Sequence, residues 1–181
     1  MEAKKNNYAF IDSQNVNLAI KEQGWALDFK RFRRYLEDKY DVSKAFIFIG
    51  FIPQNQDLYT SLQKCGYILV FKPTLQLPDG KVKGNVDSEL VLHAMIEYQN
   101  YDKALIVTGD GDFYCLVDYL IKNDKLSKLM IPNRHRYSSL FRKLMPHIVF
   151  MNELKGKLEH KKDQKKEALP RGRNPSDSLK S

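Results

Sequence analysis

With 181 residues and a net charge of +8, the chain is long enough to bury one substantial core and short for two domains. Cys65 and Cys115 have no metal-ligand spacing, so free buried thiols in a reducing compartment are expected, not a disulfide scaffold. Met1 to Asn7 carry no apolar signal region, and the longest apolar run, from Ala45 to Ile52, falls short of the ~20 residues of a bilayer span; a cytoplasmic protein with no membrane partner is expected.

The chain opens with a strand over 8–12 that runs into Asp12, and Ser13 and Asn15 lead into a helix over 15–23. A second helix over 29–39 carries Phe29, Phe32, Leu36 and Tyr40 on one stripe, a core face, with Lys30, Arg31, Arg33 and Arg34 off it as a solvated face. A strand over 45–50, a helix over 57–65 and a strand over 67–71 follow. A Pro- and Gly-containing loop, Pro73 to Gly84, then leads to a helix over 87–98 that opens on Asp87. The strand over 104–108 delivers Asp110 and Asp112 to a glycine-loosened turn, Thr-Gly-Asp-Gly-Asp, before a helix over 113–123. A strand over 128–131, a helix over 138–144 and a strand over 148–151 complete the pattern. Strands alternating with helices imply one α/β domain built on a mainly parallel sheet with helices on both faces.

Two strands thus end in acid, and a helix that starts just after a third strand begins with acid. In open α/β sheets ligands collect outside the carboxyl ends of the strands, where strand order reverses. Each aspartate alone is explained as a helix cap, with Asp12 serving the first helix and Asp112 the one that starts at Phe113; Asp87 alone is an ordinary acidic first turn. Their coincidence at one sheet edge favours a site. Carboxylates are hard ligands that suit Mg²⁺ or Mn²⁺, whereas the four histidines show no paired zinc spacing.

The Phe10-Ile-Asp-Ser-Gln-Asn15 opening, the Lys83-Gly-Asn-Val-Asp87 helix start and the Thr108-Gly-Asp-Gly-Asp-Phe113 turn, in that order, resemble the NYN domain of the LabA-like (DUF88) branch of the PIN-like nuclease superfamily. Ser138-Ser-Leu140 and the run from Ile148 to Leu154 are similar to the family's closing helix and final strand. The resemblance implies a PIN-like fold over 1–154 and a metal-dependent nuclease acting on nucleic acid, RNA rather than DNA. Asp12, Asp87, Asp110 and Asp112 would then be the catalytic and metal-binding residues. Ser13, Asn15 and Thr108 would position phosphate or ligand water, with Lys72, Lys81, Lys83, Arg134 and Arg136 guiding the backbone. Two departures stand out: His93 occupies the place of a second helix acid, and Met145-Pro-His147 replaces an acid before the last strand.

Other chemistries lack their residues. No phosphate-binding loop, dinucleotide fingerprint or serine elbow occurs, and Gln14 replaces the second acid of an aspartyl-phosphate loop. The alternative within the same fold is a nucleic-acid-binding or regulatory module with weak or no catalysis; a homo-oligomer is compatible with either. From Lys155 to Ser181 nine Lys or Arg stand against four Asp or Glu. This stretch reads as a disordered basic tail whose removal leaves the core intact and weakens RNA binding.

Overall fold

The computed structural model describes residues 5–72, 75–76, 82–83 and 87–161. The first strand, β1 (Asn7–Asp12), is buried along its whole length, which alternation explains. Tyr8 and Phe10 enter one apolar cluster, and Ala9 and Ile11 enter another on the opposite face of the sheet. A strand covered on both faces reads as continuous apolar sequence, as this one does.

Around β1 the chain builds a six-stranded sheet from β2 (Val42–Gly50), β3 (Tyr67–Lys72), β6 (Ala104–Val107), β7 (Leu126–Ile131) and β8 (Ile148–Phe150), in the order β3-β2-β1-β6-β7-β8 with every pairing parallel. The chain first winds outward from β1 to β3, then returns to the other side of β1 with β6. The order therefore reverses between β1 and β6. A short antiparallel ladder, β4 (Leu75–Gln76) with β5 (Val82–Lys83), stands apart from this sheet, inside the stretch expected to be loop throughout.

The helices are α1 (Ser13–Glu22), α2 (Phe29–Tyr40), α3 (Gln56–Lys64), α4 (Asp87–Ile96), α5 (Tyr114–Lys122) and α6 (Lys155–Leu158). Val16 and Ile20 of α1, Phe32 and Leu36 of α2, Leu62 of α3 and Leu158 of α6 cover one face. Leu90 and Ala94 of α4, with Leu116, Val117 and Leu120 of α5, cover the other. On α2 the expected apolar stripe is the packed face, but Arg33 is not simply solvated. Its guanidinium donates to the carbonyls of Gly66, Val42 and Ser43 and so ties α2 to the start of the sheet.

Three expectations change. The helix foreseen over 138–144 is a 3-10 segment, Ser139–His147, kinked at Leu144; Pro146 has no N–H to give an α-helical ladder. Cys115 is exposed, whereas a buried thiol was expected. The folded chain also continues beyond Leu154. Leu158 is buried in the core, its carbonyl accepts from Asp28 N at 2.8 Å, and His160 N donates to Ala26 O at 2.8 Å. The remainder of the expected tail, 162–181, lies outside the described residues. Among those residues no helix is long and apolar enough to cross a membrane.

Candidate metal centre

The β1–β6 register pairs Phe10 with Ile106 and Ile11 with Val107, so Asp12 and Thr108 face each other just beyond the last paired residues. By strand alternation both side chains lie on the α4–α5 face. Thr108 Oγ1 donates to Asp12 Oδ2 at 3.0 Å and accepts from Asp110 N at 3.1 Å. One hydroxyl thereby links the ends of two strands to the acidic turn.

Asp12 is 4 % exposed and caps α1, accepting from Asn15 N at 3.1 Å. Burial pushes its pKa up to about 6, against the opposing pull of the Asn15 and Thr108 bonds and with added push from the charges of Asp87 and Asp110. Asn15 itself turns inward: its Oδ1 accepts from Gly109 N at 2.8 Å, so the side chain expected to meet phosphate pins the acidic turn to α1. Ser13 is likewise buried, and its Oγ accepts from Asn17 Nδ2 at 3.2 Å.

The turn after β6 is shaped by Asp110, which accepts from Asp112 N at 3.1 Å and caps the 3-10 segment Gly111–Phe113. Asp112 does not cap the following helix as foreseen: α5 has no side-chain cap, Asp110 caps the 3-10 segment before it, and Asp112 is exposed. Gly111 is required here, because a Cβ on it would overlap Ser138. Ser138 N in turn donates to Gly109 O at 3.0 Å, so the segment after β7 closes directly over the turn.

One carboxylate oxygen each from Asp87, Asp110 and Asp112 lies within 4.8 Å of the others. This all-oxygen donor set fits a small hard divalent cation such as Mg²⁺ or Mn²⁺, which normally takes one or two carboxylates and keeps water in its other positions. Asp12 lies outside this group of three, close enough to feel two of its members. Three acids without a cation repel one another, and the cost is borne by the packing that holds their backbones in place.

The remaining candidates divide. Lys72 Nζ stands 3.4 Å from Glu89 Oε2, in the first turn of α4, two residues after Asp87. Arg136 pairs with Glu22 at 2.7 Å and Arg134 with Glu153 at 3.4 Å, all four side chains being solvent-exposed. Exposed pairs of this kind contribute about 1 kcal/mol or less, so Arg136 can exchange its partner for phosphate at small cost, whereas the Arg134 guanidinium is also held over the Phe150 ring at 5.1 Å. Lys81 lies outside the described residues, as do positions 84–86 of the Lys83-to-Asp87 motif; Lys83 lies in β5. His93 is a packing residue: its Nδ1 is 3.0 Å from the Glu89 carbonyl, and its ring meets Phe48 edge-on at 5.5 Å.

An open concavity of about 520 Å³ runs from Asp110 and Asp112 past Gly109 and Gly111 to Arg136, Tyr137, Ser138 and Leu140. Of that far wall only Arg136 is a substrate-binding candidate from sequence. Tyr137 and Leu140 carry no chemical signature, and only the closure of Ser138 onto Gly111 brings them to the acids.

A parallel α/β sheet with carboxylates gathered at its switch point is the architecture of a PIN-like nuclease domain. The NYN domain profile matches residues 8–150, and the chain belongs to the NYN domain family, in its LabA-like branch, within the PIN-like nuclease superfamily. It is similar to the low amplitude and bright protein LabA of Synechococcus elongatus, 26 % identical over 121 residues that make up 61 % of this chain and 65 % of that protein. The fold also matches the crystal structure of a Vibrio parahaemolyticus protein of unknown function. The TM-score is 0.67 at 22 % identity, covering 88 % of this chain and 100 % of the other.

Proposed function

We propose that this chain is a metal-dependent nuclease that hydrolyses phosphodiester bonds in RNA. The observation that carries the reading is the convergence of Asp87, Asp110 and Asp112 beside the buried Asp12 at the sheet's switch point. The three converging carboxylates would hold Mg²⁺ or Mn²⁺. Such an ion, when bound, polarises a phosphoryl oxygen and acidifies water near neutral pH.

The protein's own contribution is placement and charge. Thr108 and Asn15 hold the Asp110 turn against β1 and α1, so the carboxylates meet without rearrangement. Asp12, raised to about 6, carries its charge at neutral pH at an energetic cost that a nearby cation relieves. Phosphate approaching four acids is repelled until a cation neutralises them, so metal binds before substrate. Arg136, and Lys72 paired with Glu89 in α4's first turn, then offer positive charge to the flanking backbone.

The test is incubation of purified protein with end-labelled single-stranded RNA in Mn²⁺, Mg²⁺ or EDTA, alongside Asp110→Asn and Asp87→Asn. Cleavage that needs metal and disappears in both variants, with thermal melting intact, supports the reading. RNA binding without cleavage at any metal concentration would instead make the chain a binding module on the same fold.

A further inference from the structure

We propose that the groove beside the acidic turn seats one unstacked base of a single-stranded nucleic acid, with Leu140 as its apolar contact; this rests on the nuclease reading above. Leu140 is 50 % exposed. An isolated leucine on a surface needs no explanation, but this one is neither isolated nor loosely held. A Cβ on Gly111 would lie 3.3 Å from Leu140 Cδ1, so the methyl group rests on the backbone between Asp110 and Asp112. Two anchors fix it there. Ser138 N is bound by Gly109 O, and the neighbouring Phe141 is fully buried in the core.

The concavity is lined by the acidic turn at one end and by Arg136, Tyr137 and Leu140 at the other; Leu140 supplies its exposed apolar surface, and the exposed Arg136 guanidinium is held by Glu22. Tyr137 is itself braced, its ring centroid 5.6 Å from that of Phe150. A nucleotide presents the matching set. Its phosphate needs the cation end, its flat base covers apolar surface, and the next phosphate meets arginine. Stacked bases inside a duplex cannot reach such a floor, whereas unstacked bases of a single strand can. The groove would therefore favour single strands over duplex and would contact a base next to the phosphate held at the acids.

The experiment measures binding of labelled single-stranded RNA by fluorescence anisotropy, with one abasic residue moved along the strand. It uses the full chain in the Asp12→Asn background to keep the strand uncut, with and without Leu140→Ser. Calorimetric Mn²⁺ titration of both proteins reports on the acidic centre. Expected are weaker binding when the abasic residue occupies one particular position, loss of that position effect in Leu140→Ser, and about a fivefold fall in affinity for intact RNA, as loss of a partly buried leucine contact implies. Mn²⁺ affinity should be the same in both. Strong RNA binding with no position effect, or an effect that survives Leu140→Ser, overturns the subsite and leaves the nuclease reading standing. Absence of RNA binding in a protein that takes up Mn²⁺ overturns the RNA reading, and the subsite with it.

Discussion

Replacing Asp12 by Asn should reverse the sign of its effect on stability between pH 4 and pH 7. Burial raises the Asp12 carboxyl from its ordinary 3.8 to about 6 in the folded protein. Between those two values the folded state holds a proton that the unfolded state has released, so stability falls as pH rises through this window. Each pH unit is worth about 1.4 kcal/mol, so Asp12 costs the metal-free protein about 3 kcal/mol at neutral pH that it does not cost at pH 4. Asparagine carries no such charge but has one acceptor oxygen where Asp12 uses two, for Asn15 N–H and the Thr108 hydroxyl. Losing one bond costs about 1 kcal/mol. Asp12→Asn should therefore be less stable than wild type by about 1 kcal/mol at pH 4 and more stable by about 2 kcal/mol at pH 7. Urea melts in EDTA at several pH values read this directly, and titrating groups that do not interact with Asp12 cancel in the difference between the two proteins. Saturating Mn²⁺ should shrink the advantage at pH 7, because a cation offsets the charge that Asn removes. A difference between variant and wild type that does not change with pH would refute the buried-carboxylate argument.

Ending the chain after Leu154 should destabilise it by more than the about 2–5 kcal/mol of Leu158→Ala, because it removes both the core leucine and the backbone bonds to residues 26–28; equal thermal melting of the shortened and full chains would refute this. Gly111→Ala should cost about 1–3 kcal/mol through overlap with Ser138 and weaken Mn²⁺ binding in calorimetry. Ser138→Gly in the same chain should recover most of both effects, and simple additivity of the two changes would rule out the contact. Asn15→Ala strands the buried Gly109 N–H and should cost about 1–3 kcal/mol, with hydrogen exchange rising at Gly109; exchange that stays slow would show that the turn is held by something else.

The sequence by itself determined the layered α/β architecture and the presence of acid at two strand ends. Continuous apolar runs bounded by turn residues have few alternatives to buried parallel strands, and the Asp-rich turns follow them directly in the chain. It also determined the apolar stripe of α2, since period alone selects Phe32 and Leu36. What only the tertiary structure decided is which groups meet. Strand order brings β6 beside β1, and that neighbourhood alone gives Thr108 the Asp12 carboxylate as its partner. Asn15 and Ser13 each also accept a structural bond, from the backbone N–H of Gly109 and the side chain of Asn17, which no local pattern in the sequence announces. Asp112 caps no helix because a 3-10 turn, itself capped by Asp110, intervenes before α5. The core's reach past Leu154 was equally invisible in the chain. A single leucine among lysines has no periodic signal, and its burial depends on residues 26–28, far away in sequence, offering backbone partners at that spot. Tyr137 and Leu140 reach the acids for the same reason: long-range backbone contacts, which leave no local pattern, close the segment after β7 over Gly111.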